Sequence, residues 1–205
     1  MIQTILLPVD GSANSGNALE YGVYIAPKLG ASLTGLHVID VFLIQGPMMT
    51  DVTATVGMPP YEGFLEAVET SLKEKADAIL ASFQKRCRAA GVACAAKTNI
   101  GKISDTIIEE AENADLILMA KKGEHFHLKE GGLIGSVAEV VIRKSGKPVL
   151  VTPESYREIE SMGLAYDGSP SAKKALALSL SLSEKAQWPI TVLIVNADAA
   201  KAADL

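Results

Sequence analysis

Short apolar runs alternate with longer stretches of helical period along most of this chain, and that alternation leaves few folds open to it. The first run is Ile5-Leu6-Leu7-Pro8-Val9, which ends in Asp10-Gly11-Ser12. Ala18, Leu19, Val23, Ile25 and Ala26 then recur on one helical face. Residues 33–39 follow Gly30 as a second strand, whereas residues 41–63, rich in Gly, Pro, Met and Thr, have no period and predict a long loop. Residues 64–90 have a helical pattern, 92–100 a strand pattern, 104–113 a helical one, and 115–119 form a buried-strand run. A further helix starts at Ser136 and leads into a strand over 148–151.

Five strands separated by four helices predict an α/β fold: a five-stranded, mostly parallel sheet with helices on both faces, Rossmann-like in kind. Parallel neighbours need crossover connections, and the helices supply them. In such sheets ligands sit beyond the carboxyl ends of the strands, where the strand order reverses. Three segments fall on that rim: 8–12 after the first strand, 37–40 at the end of the second, and 119–123 after the fourth. Gly135-Ser136 would join them, because backbone N–H groups at a glycine-serine turn opening a helix can hold a phosphate. Ser136 and Glu139 also stand in capping-box spacing, which accounts for the serine without any ligand. The sequence leaves both readings open.

The tail repeats the start. A shift of 157 residues superposes Leu164, Asp167-Gly168-Ser169, Ala175-Leu176, Lys185, Thr191, Leu193 and Val195 on Leu7, Asp10-Gly11-Ser12, Ala18-Leu19, Lys28, Thr34, Leu36 and Val38. Ser169-Pro170 reads as an N-cap followed by proline at the first helical position. The expected organisation is one complete domain over 1–154 and an incomplete strand-helix-strand repeat over 158–205. No counterpart of the later strands or of the Gly135-Ser136 turn appears in the repeat, so no binding role is assigned to it alone. A lone unit of this kind exposes a sheet edge and needs a surface to dock on.

Taken in order, Ile5-Leu-Leu-Pro-Val-Asp-Gly-Ser with Ala18-Leu19, Leu36-His-Val, Ala114-Asp-Leu-Ile-Leu-Met, Gly135-Ser-Val-Ala-Glu and Lys147-Pro-Val-Leu-Val resemble the universal stress protein family in its tandem form. That resemblance implies an adenine nucleotide hydrolase-like fold. It also implies pairing through the strand near Val149-Leu150-Val151, as a homodimer or an intramolecular pseudo-dimer, and ATP, with magnesium, in some members. Carried onto this chain, the family's site points to Asp10 for adenine, to backbone at Val38, and to Gly123 and the position of Ala120 for ribose and phosphates, with Pro8, Val9 and Met119 among the binding residues. Gly135, Ser136 and the N–H of Val137 complete it. Two departures stand out. Ala120 replaces the first glycine of the family pattern, and eleven residues rather than nine separate Gly123 from Gly135. Lys121 and Lys122 offer compensating positive charge.

A net charge of -5 without a long basic run argues against nucleic acid or an anionic membrane as partner. No apolar stretch approaches the roughly 20 residues of a membrane helix, and the start lacks a basic signal-peptide region, so a cytoplasmic location is expected. Cys87 and Cys94 form no CxxC and have no histidine nearby, which predicts free thiols, buried or half-buried. His37 lies among apolar neighbours and is expected to be a hydrogen-bonded structural histidine. His125 and His127 read as surface residues rather than metal ligands, and Met48, Met49 and Met58 as a contact surface or a cover for the core. No P-loop, G-x-G-x-x-G, G-x-S-x-G or HExxH motif is present, and no base to activate water can be named. The expected function is a nucleotide-binding stress-response regulator. A scaffold of the same family that dimerises without ATP, and a slow ATP hydrolase, are the alternatives.

Overall fold

The computed structural model describes residues 2–45, 64–123 and 134–195. The chain forms two compact units, Ile2–Tyr156 and Arg157–Leu205. In the first, the order is β1 (Thr4–Pro8), α1 (Ala13–Leu29), β2 (Ser32–Asp40), α2 (Val41–Gln45), α3 (Phe64–Ala89), β3 (Cys94–Gly101), α4 (Ile103–Glu110), β4 (Leu116–Ala120), α5 (Ser136–Lys144) and β5 (Val149–Thr152). The strands make one parallel sheet in the order β3-β2-β1-β4-β5, as the alternation of strand and helix predicts. The order reverses between β1 and β4.

Two local differences from the sequence reading have simple causes. Residues 41–45 are helical rather than loop, because Asp40 Oδ1 accepts a hydrogen bond from the Phe42 N–H (3.0 Å) and starts a turn there. The rest of the expected loop, with Met48, Met49 and Met58, lies outside the described residues. The helix expected over 104–113 ends as α-helix at Glu110 and tightens into a 3-10 turn, Ala111–Asn113, before β4.

Strand alternation gives the sheet two apolar faces. On one, Leu6, Leu36, Ile117 and Met119 pack against Ile107, Ala111, Ala138 and Val141 of the α4 and α5 layer. On the other lie α1 and α3, and there two glycines let helix and sheet touch. A Cβ on Gly22 would stand 2.9 Å from Leu7 Cδ1, and one on Gly35 would stand 2.7 Å from the Phe83 ring. Phe83 is fully buried, and a buried side chain of this size contributes about 1.5–3 kcal/mol relative to exposure. At the surface of this layer Arg86 grips Glu20 bidentately (2.8 and 2.6 Å), which holds the Glu20 carboxyl below its ordinary range. Both groups are more than a third exposed, so solvent screening limits the pair to about 0–1 kcal/mol.

The start of β1 is fastened differently. Asp115, just before β4, accepts hydrogen bonds from the N–H groups of Gln3 (2.8 Å) and Thr4 (3.0 Å). Those two bonds hold its carboxyl below the usual range.

The second unit contains β6 (Met162–Ala165), α6 (Pro170–Ala186) and β7 (Ile190–Leu193), with β6 and β7 parallel. Moved by the 157-residue shift, α1 falls on α6 residue for residue. The caps repeat as well: Ser12 Oγ accepts from Ser15 N–H and Ser169 Oγ from Ala172 N–H, both at 3.1 Å. At the other end, Gly30 and Gln187 both adopt the left-handed conformation, φ 66° and 59°. The repeat seen in the sequence is a repeat of backbone geometry.

Gly35→Ala is expected to lower stability by about 1–3 kcal/mol, because the methyl must displace the Phe83 ring within a packed layer. Urea unfolding measures it. Asp115→Ala is expected to cost about 1–2 kcal/mol at neutral pH. Because the folded-state pKa of Asp115 is lowered, its contribution is present above the unfolded value, about 3.9, and is lost as pH falls through the folded value. The difference in Tm between parent and variant should therefore shrink as pH is lowered toward about 2.

Candidate functional site

The carboxyl ends of β1, β2 and β4 and the start of α5 meet at one rim. Val9 is pinned there from both sides of its peptide. Its N–H donates to Leu36 O (2.8 Å), and its carbonyl accepts from His37 Nδ1 (2.7 Å). A carbonyl acceptor places the proton on Nδ1, so His37, which is buried, is the structural histidine that the sequence predicts. Asp10 follows in a tight turn in which its Oδ1 accepts from Ser12 N–H at 2.9 Å and Gly11 adopts φ +82°. This turn accounts for Asp10 Oδ1 through its own local backbone bonding. Its second oxygen faces elsewhere: a Cβ built on Gly123 would stand 2.9 Å from Asp10 Oδ2. Hydrogen at Gly123 is what lets the chain after β4 lie against that carboxylate.

Pro8 limits the backbone pairing at this rim. Odd residues of β1 bond toward β2 (Ser32 N–H to Gln3 O, Val9 N–H to Leu36 O), whereas Thr4 O accepts from Asp115 before β4. Pro8, an even residue, would direct its N–H toward β4, and proline has none. The β1–β4 ladder pairs only Ile5 with Leu116 and Leu6 with Ile117, while β1–β2 pairing runs through Pro8. Beyond Leu6 no further β1–β4 pair is formed among the described residues.

At the start of α5 the structure corrects the capping-box reading. Gly135, extended at φ -65° and ψ 149°, is the N-cap, and its carbonyl accepts from Glu139 N–H (3.0 Å). Ser136 is the first helical residue and makes no side-chain cap, while Glu139 pairs with Arg143 (3.0 Å) instead of reaching back. The serine stands one position too far into the helix to cap it. Gly135 N–H donates to Lys121 O (2.8 Å), which ties the start of α5 to the chain just after β4. The N–H groups of Ser136, Val137 and Ala138 occupy the first turn, where no intrahelical acceptor exists and the helix carries partial positive charge.

The structure places the other expected residues in two ways. Val38, Met119 and Val137 share the apolar cluster on the α5 face. Ala120, in register with Thr152, alternates onto the face of Leu118, toward α1, so its methyl points away from α5. The positive charge expected from Lys122 is spent on Glu154, 2.8 Å away, whose carboxyl that pair holds below its usual range. Sequence reasoning missed this partner, because nothing in the spacing of 122 and 154 signals that they meet. A cleft of about 340 Å³ between α1 and α3, bordered by Ser12, Ser15, Lys75 and Ile79, lies on the other face and shares only Val9 with the expected set. His125 and His127 lie outside the described residues.

The sequence matches the Universal stress protein family over residues 1–153. The chain belongs to the universal stress protein family. It is 28% identical over 203 residues to the universal stress protein Slr1230 of Synechocystis, covering 95% of this chain and 70% of that protein. A universal stress protein structure from Archaeoglobus fulgidus superposes with a TM-score of 0.75 at 24% identity, over 98% of this chain and 70% of that one. A family member from Arabidopsis thaliana, solved with AMP bound, shares the fold at 16% identity and a TM-score of 0.51, over 73% of this chain and 90% of that one. Among the described residues, no helix is long and apolar enough to cross a membrane, and no three His, Cys, Asp or Glu side chains cluster as a metal site would require.

The cap assignment separates two serines of the rim. Ser12→Ala is expected to destabilise the protein by about 1 kcal/mol, the usual value for a lost N-cap. Ser136→Ala should change stability by less than about 0.5 kcal/mol, as for an ordinary exposed position. Equal losses in denaturant unfolding would restore the capping box.

Proposed function

We propose that this universal stress protein binds an adenine nucleotide, ATP included, at the rim between β1 and β4, and that occupancy regulates its interactions in a cytoplasmic stress response. The observation that carries the reading is the placement of Gly123 against Asp10 Oδ2, which joins two distant segments around a carboxylate able to accept from an adenine amino group. The first turn of α5 lies on the same rim and supplies N–H groups and positive potential suited to phosphates. With Lys122 engaged by Glu154, those N–H groups, rather than the lysine, answer the phosphate charge. The fold holds AMP in the Arabidopsis relative. Magnesium, in this reading, arrives with the nucleotide and is held mainly by its phosphates. Strand β5 is an edge of the five-stranded sheet among the described residues, and we propose it as the pairing edge between two such domains.

The experiment is a thermal-shift titration of the purified protein with ATP and AMP, with and without magnesium, alongside analysis of co-purifying nucleotide. Binding at 100 times Kd is expected to stabilise the folded state by about 2.7 kcal/mol. Gly123→Val, which drives a side chain toward Asp10, should abolish the shift while leaving the ligand-free Tm within a few degrees. Absence of both bound nucleotide and any shift at millimolar ATP would leave the ligand-free scaffold as the function. ATP turnover that survives Gly123→Val would belong to a contaminant rather than to this site.

A further inference from the structure

The only two cysteines of the chain face one another across the α1–α3 side of the sheet. Phe83 of α3 lies on Gly35 of β2, and Cys87 follows one helical turn later. One turn advances about 5.4 Å, close to the rise of two strand residues, so Cys87 comes over the level of Leu33. Leu33 pairs in register with Cys94 of β3, and register partners in a parallel ladder project to the same face. Cys94 is accordingly a neighbour of the Cys87 thiol. Cys87 is fully buried, while Cys94 is half-buried on β3, an edge strand of the sheet.

The backbone between them is held in a fixed turn. Val92 N–H donates to Cys87 O (3.0 Å), and Gly91 takes φ +67°. This turn, together with the register of α3 on β2 and of β2 on β3, holds the two thiols close. Burial, followed by the neighbouring Cys94, pushes the Cys87 thiol up to about 12, which makes it a poor first nucleophile. Cys94 is the thiol an oxidant reaches.

We propose that Cys94 and Cys87 form a peroxide-responsive pair that closes into an intramolecular disulfide. The Cys94 sulfur attacks one oxygen of hydrogen peroxide, the O–O bond breaks, and Cys94 becomes a sulfenic acid as one water leaves. The Cys87 sulfur then attacks the Cys94 sulfur, the S–O bond breaks, and the departing hydroxide takes the Cys87 proton to leave as a second water. Two thiols lose two electrons and peroxide gains them. The bond would fasten the end of α3 to β3, on the helix whose Ile79 packs against Gly11 beside Asp10.

The test treats the full chain with hydrogen peroxide, alkylates free thiols under denaturing conditions and maps the peptides without reduction. The expected result is a peptide pair linked through Cys87 and Cys94, lighter than the sum of the two thiol peptides by two hydrogens and separated by dithiothreitol. Cys94→Ser should leave Cys87 fully alkylated after the same treatment. Cys87→Ala should leave Cys94 as a sulfenic acid that dimedone traps, and if this buried variant fails to fold, the parent and Cys94→Ser decide the matter. Complete alkylation of both thiols after peroxide, oxidation of Cys94 to sulfinic acid with Cys87 still free, or disulfides only between chains would each overturn the proposal.

Discussion

A missing hydrogen-bond donor governs the arrangement of this molecule. Pro8 sits in the central strand, where most side chains would carry the ladder forward, and the N–H it lacks is the one that would point to β4. β2 stays attached to β1 through this residue while β4 pairs only as far as Leu6. The reversal of strand order favours a crevice at this place, and the proline withholds one ladder hydrogen bond from it. The rim residues gather where that ladder stops: the Asp10 turn after β1, Gly123 after β4, and the opening turn of α5.

The sheet was legible because its signal is redundant. Each strand is a short apolar run with turn residues after it, and each helix repeats its apolar positions, so small errors at the ends do not change the topology. His37 could also be read, since a histidine among apolar strand residues needs a partner and the nearest strand end supplies one. Ser136 could not be read correctly. A serine three residues before a glutamate looks the same whether it is the cap or the first helical residue, and the difference is decided by the long-range bond from Gly135 to Lys121. The Lys122–Glu154 pair and the facing cysteines were hidden for the same reason: each depends on register between elements, which no local pattern records.

The second unit separates local chemistry from its surroundings. Asp167 Oδ1 accepts from Ser169 N–H at 2.9 Å, Gly168 adopts φ +77°, and Tyr166 N–H reaches Leu193 O at 2.9 Å, each matching its counterpart around Asp10. The turn therefore forms from its own short sequence. A site needs more than the turn, because in the first unit the facing glycine and the helix start come from segments that lie far along the chain. Duplicating residues 8–12 duplicates a carboxylate in a defined pose, and only that.

The grip of Asp115 on Gln3 and Thr4 has a consequence for the order of events in synthesis. The strand at the centre of the sheet is the first to be made, yet one of its flanks is closed only by residues made more than a hundred positions later. Until β4 emerges, β1 has β2 alone beside it and an open apolar edge on its other side. A chain growing from its amino end must carry that edge unprotected, and contacts of such long sequence separation are slow to form. The same carboxylate that completes the sheet thus marks the latest step at which its centre can be sealed.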